Sequence, residues 1–329
     1  MSPGVRLTSG VAFDLASGER VVVDGAAPAD VTVVSHAHAD HTVGSASGPV
    51  VCSDLTAAVA AARRGSAPAE TRDDHEFVEL LPAGHVAGSR AARITDPETG
   101  RRYLYTGDLR TRDRFYLEGF EPVDADVLVV ETTYGTPEYR FPPEEALHAE
   151  IEDWLADTRD SVVLLFGYSF GRAQKLQRLA MRADRSRIFV TDAVATVNAV
   201  VEDHLPVTFD VEPYDASVAL EPGDAVVLPG QPRTSTLADA VADEVDVVTA
   251  GFSGWAVDSS FRYRGGYDVT FPLSDHCDFD ELVAVVRGVD PERVYTHHGY
   301  ADAFAEHLTR AHGYETRALR RDQATLADF

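Results

Sequence analysis

The stretch His36-Ala37-His38-Ala39-Asp40-His41 gathers three imidazoles and a carboxylate within six residues. It follows directly on the apolar run Val31-Thr32-Val33-Val34. A strand ending there in a sharp loop would turn all four side chains toward one cavity. Imidazole nitrogen and carboxylate oxygen together suit zinc, whereas magnesium and calcium prefer oxygen alone. Ligand-type residues recur farther on, each where an apolar segment gives way to a loop: His85 among glycines, Asp108, Glu131, His276 and the doublet His297-His298. A glutamate closing the apolar strand 126–130 is costly unless paired or bonded; the plainer use of Glu131 is a helix cap or a turn. Asp24 would either steady the histidine loop or simply open the turn into Gly25.

These residues need strands to deliver them. Residues 5–35 read as short strands, with a hairpin through Ser17-Gly18-Glu19 into 20–23. A short strand at 50–52 leads to Ser53 or Asp54, which caps a helix over 55–63. A strand at 76–81 precedes His85, and 91–94 with 102–106 forms a hairpin ending beside Asp108. From residue 143 the pattern alternates: helices over 143–157, 172–181, 193–203 and 236–243, strands at 162–166, 188–191, 225–228 and 245–250. Such alternation predicts a small parallel α/β unit. Its turn Gly167–Gly171 opens a helix beginning at Arg172, an arrangement that can hold a phosphate at the helix N-terminus. A last section returns to ligand-like residues. Asp278 and Glu281 have capping-box spacing before a helix over 279–287, and Gly288 fits the position just beyond its end. A strand at 293–296 then delivers His297-His298, and a helix over 301–312 follows.

At 329 residues the chain is long enough for two domains. No apolar run approaches the roughly 18 residues of a membrane helix, and the start has no signal-peptide pattern, so a cytoplasmic protein without a membrane partner is expected. Cys52 and Cys277 lie in no CxxC pair and read as small buried residues. The net charge is −25, from 54 acidic residues against 29 basic ones, and Lys175 is the single lysine. Acidity spread along the chain with lysine nearly absent fits a halophile's cytoplasm. In molar salt, charge is screened over about 3 Å and counterion release adds almost nothing to binding. Net charge therefore does not exclude a nucleic-acid substrate. A polyanion would be held by metal, arginine forks, helix N-termini and base stacking.

Taken together, HAHADH, GHVAGS and TGD in this order resemble the metallo-β-lactamase superfamily. Glu131 in ETTYG, His276 in LSDHCDF and His298 in THHGY resemble the additional motifs of its β-CASP nucleases, and FGYSFGRAQKL resembles the start of their insertion. YGTPEYRFPPEEAL and GFSGWA look most like the subfamily of mRNA 3′-end-processing-factor-like or DNA-ligase-associated exonucleases. The resemblance implies a metallo-β-lactamase αββα sandwich over residues 1–142 and 263–329, with a small α/β β-CASP domain inserted at 143–262. It implies two zinc ions. His36, His38 and His85 would hold the first, and Asp40, His41 and His298 the second, with Asp108 bridging. Asp40, Glu131 and His276 would be catalytic, Glu131 tuning His276 as general acid, and Asp24 would support the ligands. Of the doublet, His298 precedes the glycine as the family's histidine does, while His297 points to the opposite face if the strand continues. Two zinc ions about 3.5–4 Å apart bring a bridging water to a near-neutral pKa.

The function implied is hydrolysis of nucleic-acid phosphodiesters, in RNA or single-stranded DNA, with RNA processing favoured and an exonuclease plausible. A DNA exonuclease in repair is the alternative. A small-molecule metallohydrolase would share the first motifs but gives Glu131, His276 and the insertion no work. A non-catalytic scaffold would have lost metal ligands. His75, His148, His204, His307 and His312 are expected to be surface or core residues.

Overall fold

The structure, a computed structural model, describes residues 4–41, 48–65, 71–215, 217–243 and 245–320. The chain forms two compact units, Met1–Pro137 with His276–Phe329, and Glu138–Asp275.

The first unit contains two six-stranded sheets. One runs in sequence order: Gly4–Thr8, Gly10–Asp14, Arg20–Val23, Val31–Val33, Val50–Val51, Thr71–Arg72. Its first three strands are antiparallel and the rest parallel. The other has the order Glu315–Ala318, Arg293–His297, Val127–Glu131, Arg102–Tyr105, Arg90–Thr95, Val78–Pro82. Strand alternation gives each sheet an inner face. Val11, Phe13, Val21 and Val33 of the first pack against Ile94, Tyr103 and Val129 of the second. On the second sheet's outer face, Leu104, Leu128 and Val294 meet Phe279, Leu282 and Val286 of helix Phe279–Val289. Val34 and Val50 of the first sheet meet Ala57 of helix Asp54–Arg64. The result is an αββα sandwich. Val23 pairs in parallel with Val33, Val129 with Tyr105, and Glu131 with His297. Parallel pairing aligns the carboxyl ends of these strands, so the loops after them emerge on a common edge of each sheet.

The second unit is built on an all-parallel sheet ordered Glu212–Pro213, Ile188–Val190, Ala225–Leu228, Val162–Phe166, Val247–Phe252, Val269–Phe271. Apart from the exposed edge strand Glu212–Pro213, its strands are mostly apolar, as strands covered on both faces require. The connecting helices include Glu144–Asp157, Arg172–Arg182, Asp192–His204 and Thr236–Ala242. The unit runs past the expected 143–262 boundary because Val269–Phe271 pairs with Val247–Phe252. A local expectation also fails at Gly288. The helix continues through it to Val289 and ends on Asp290, which has φ 47°. A Cβ on Gly288 would lie 2.8 Å from the Pro122 ring, so glycine serves a close approach there and not a cap. No helix among the described residues is long and apolar enough to cross a membrane.

Candidate metal centre

The histidine loop leaves strand Val31–Val33 and folds back so that His36, His38 and His41 share one buried space. The ring nitrogens His36 Nε2 and His38 Nδ1 lie 3.0 Å apart, and His85 Nε2 lies 3.2 Å from His38 Nδ1. Asp108 Oδ2 stands 3.5 Å from His36 Nε2 and 3.6 Å from His85 Nε2. A regular tetrahedron of zinc bonds of about 2.0–2.1 Å has donor–donor edges of about 3.3–3.4 Å. The four measured edges bracket that value. Burial holds the His36 imidazole far below its ordinary pKa, and the neighbouring imidazoles of His41, His38 and His85 push the same way. It is therefore neutral, the form that binds metal. Three ring nitrogens and one carboxylate oxygen, all within 4.8 Å of one another, are a donor set that zinc takes. The residues fit zinc.

The same Asp108 oxygen faces a third imidazole: His41 Nε2 lies 3.6 Å from it and 3.8 Å from Asp40 Oδ2. The His298 ring sits 5.4 Å from the His41 ring, centroid to centroid. His298 takes φ +61°. That conformation is uncommon for a side-chain-bearing residue, and it turns the chain directly after strand Arg293–His297. A Cβ on the following Gly299 would lie 2.3 Å from the Thr132 carbonyl oxygen, so the turn requires glycine. Burial would lower the His41 pKa, but the carboxylates of Asp108, Asp24 and Asp40 outweigh it and raise it to about 10. An anionic field that strong around one imidazole is what a second divalent cation would neutralise.

Asp24 lies behind the ligands. Its Oδ2 accepts from the Ser35 hydroxyl (2.6 Å) and the Tyr105 hydroxyl (2.9 Å) and lies 2.8 Å from His41 Nδ1; its Oδ1 accepts from the Ser35 N–H (2.8 Å). Ser35 Oγ also lies 2.9 Å from His36 Nδ1. These contacts occupy the Nδ1 side of His36 and His41 and leave Nε2 toward Asp108, as ligand-orienting partners do. Ser35 and Tyr105 were not singled out from sequence. Neither were Arg63 and Arg64, whose guanidinium groups donate to the Ala37 and Ala39 carbonyls of the loop. The signal for these was weak: basic residues in a helix's last turn, with no hint of their distant targets.

Glu131 and His276 form the other half of the site. His276 Nδ1 lies 2.8 Å from Glu131 Oε1, and one atom each of Asp108, Glu131 and His276 lies within 4.8 Å of the others. Glu131 also accepts from the backbone N–H groups of Leu109 (3.0 Å) and Thr133 (3.1 Å). Burial would raise its pKa, but the His276 charge and hydrogen bond, with these donors, lower it to about 2. Glu131 thus bonds within the turn that follows it and also reaches His276. Arg110 donates to the His276 carbonyl (2.9 Å) and to Glu281 Oε2 (2.9 Å), fixing the backbone of the His276 loop.

Arg172 is a correction. It is buried, pairs with Asp275 Oδ2 at 3.0 Å and donates to the Phe252 carbonyl at 3.3 Å. At the same helix start the Gly171 N–H already donates to Gln174 Oε1. The positive groups expected to take a phosphate are engaged internally. His75, His148, His204, His307 and His312 belong to none of the convergent ligand groups among the described residues.

Comparison with known proteins gives partial matches. Residues 269–319 match the family described as Zn-dependent metallo-hydrolase RNA specificity domain. The chain is 33% identical to a probable DNA ligase of Opitutus terrae, over 91% of this chain and 30% of that protein. It is 24% identical to the DNA cross-link repair protein SNM1 of Arabidopsis thaliana, over 79% of this chain and 59% of that protein. Over 30% of this chain and 13% of the relative, it is 36% identical to the cleavage and polyadenylation specificity factor subunit 3 of Dictyostelium discoideum. The chain thus spans about a third to three-fifths of the first two relatives.

Proposed function

We propose, from the premise that these similarities support the β-CASP family of the metallo-β-lactamase superfamily for this chain, that the protein is a zinc-dependent nuclease hydrolysing nucleic-acid phosphodiesters. The observation that carries the reading is Asp108 Oδ2, which faces His36, His85 and His41 at 3.5–3.6 Å. A carboxylate oxygen so placed suits a bridge between two cations. His36, His38 and His85 would hold one ion, and Asp40, His41 and His298 the other. When bound, the two ions supply an acidified water and positive charge for the phosphate oxygens. The protein's own groups do the rest. Asp24, Ser35 and Tyr105 hold the ring orientations of His36 and His41. Glu131, kept anionic, favours the charged form of His276 and orients its Nδ1–H. The opposite nitrogen of His276 would then donate a proton to the departing 3′ oxygen.

Processing of RNA is the first reading, supported by the match over residues 269–319 and by the cleavage-factor relative. One observation favours DNA hydrolysis in repair as a second reading: three relatives matching 79–91% of this chain carry names from DNA ligation and cross-link repair. The test uses purified protein at molar KCl, chosen for the chain's net charge of −25, with labelled RNA, single-stranded DNA and the chromogenic diester bis(p-nitrophenyl) phosphate. Cleavage should vanish on chelation and return with zinc. Zinc-loaded protein that cleaves none of the three would sink the proposal.

A further inference from the structure

The second unit carries an exposed aromatic surface that the metal chemistry does not use. Strands Val162–Phe166 and Val247–Phe252 are parallel neighbours, with Phe166 opposite Gly251, so their carboxyl ends open on one edge of the sheet. Tyr168 follows the first strand and is 70% exposed. Trp255 follows the second, in the 3-10 turn Gly254–Val257, and is 37% exposed. The next helix, Ser260–Gly265, adds Tyr263 at 69% exposed, between the exposed residues Arg262 and Arg264. That helix is anchored from below. Phe261 stacks on Tyr267 at 5.5 Å, and Tyr267 meets Phe166 edge-on at 5.9 Å. The outward rings are therefore additional to those that hold the helix in place.

Single exposed apolar residues are ordinary, but large exposed rings after two neighbouring strand ends and on the helix that follows point to a binding site. Here the rings are interleaved with cations. The chain has a net charge of −25, yet residues 254–267 set Arg262 and Arg264 against Asp258 alone. Aromatic faces beside arginines are the chemistry that holds single strands, since every base has a π-face and every linkage an anion. Open α/β sheets also take ligands beyond the carboxyl ends of their strands. We infer that Trp255, Tyr263 and Tyr168, with Arg262 and Arg264, form a base-stacking surface for single-stranded nucleic acid. The inference rests on the nuclease reading and extends it to a second contact on the substrate. Stacking persists in molar salt, where charge attraction is screened, and this suits a strongly acidic chain.

The test compares wild type with Trp255→Ala, Tyr263→Ala and the Arg262→Gln/Arg264→Gln pair, all as the full chain loaded with zinc. Two substrates are used, a fluorescein-labelled single-stranded 12-mer (thymidine and uridine versions) and bis(p-nitrophenyl) phosphate. Each aromatic variant should raise KM for the 12-mer about tenfold, the scale of one stacked base. The effect should hold in 1 M KCl, while that of the arginine pair should fade there. Hydrolysis of the small diester should stay within about twofold of wild type. Fluorescence anisotropy of the 12-mer in EDTA reads binding separately from cleavage. Unchanged 12-mer binding in both aromatic variants would overturn the inference and leave the nuclease reading standing. A wild type that binds the 12-mer but cleaves neither substrate would overturn the nuclease reading instead. Aromatic variants that change only the concentration dependence of oligomeric state would assign the surface to a second copy of the chain, which also overturns the inference.

Discussion

Each unit buries a cluster of charge, and the two clusters close in opposite ways. In the first unit, His36, His38, His85 and Asp108 turn one ligand-type atom each toward a common point, and His41 Nε2 lies 3.6 Å from the same Asp108 oxygen. In the second, Lys175 donates to the Ser274 carbonyl at 3.0 Å and pairs with Asp275, which also pairs with Arg172 at 3.0 Å. Apart from the half-buried His38, both clusters are buried. The second sets two cations, Lys175 and Arg172, against one carboxylate, Asp275, and ammonium and guanidinium groups cannot bind a metal. The first offers ring nitrogens and carboxylate oxygens, and the charge that Asp108, Asp24 and Asp40 draw onto His41, whose pKa rises to about 10, stands where a divalent cation would. Burial of charged groups is therefore no guide to a site by itself. The kind of group that converges is the better guide, since imidazole nitrogens and carboxylate oxygens can bind a metal and ammonium or guanidinium groups cannot.

Variants can break this contrast or sharpen it. His276→Ala should keep its zinc, measured by metal analysis, and lose about 10²–10⁴ in nuclease rate, the scale of one general acid. Loss of zinc in that variant would instead make His276 a ligand. Lys175→Met should leave Asp275 paired with Arg172 and remove the donor to the Ser274 carbonyl, costing about 1–3 kcal/mol of stability, read from urea unfolding. Its metal content should be unchanged; a change there would mean the second cluster is not merely structural. Asp24→Asn keeps the shape but weakens the hold on His41 and Ser35, so metal affinity or activity should fall about 10–100-fold. A smaller effect is expected from pH. The Glu131 carboxyl is lowered from 4.5 to about 2 on folding, so its contribution to stability is complete above pH 4.5 and lost as pH falls toward 2. In metal-free protein, wild type should lose unfolding midpoint more steeply than Glu131→Gln over pH 6 to 3. Parallel slopes would deny the coupling.

The candidate ligands were legible because each stands where an apolar strand ends, a local pattern. Their division between two ions is implied by resemblance and belongs to the proposal. What did not show in the sequence is what arrives from a distance. Tyr105 reads as one more strand aromatic, yet its hydroxyl reaches Asp24 across 81 positions of sequence. Arg110 reads as a loop residue, yet it ties together the His276 carbonyl and Glu281. Glu281 was recognised as half of a capping box, and it is one; the ion pair it adds was invisible. Arg172 and Gly288 failed for the same reason. Each matched a local signal, phosphate-binding helix start or helix end, that a tertiary neighbour had already claimed, Asp275 in one case and Pro122 in the other.

The burial of Lys175 has a practical consequence. It is the single lysine of the chain, and it is 1% exposed. An amine-directed acylating reagent can modify this side chain only when the second unit opens. The rate of acylation at Lys175, followed by peptide mass spectrometry, would thus be a natural clock for the breathing of that unit, free of any engineered label.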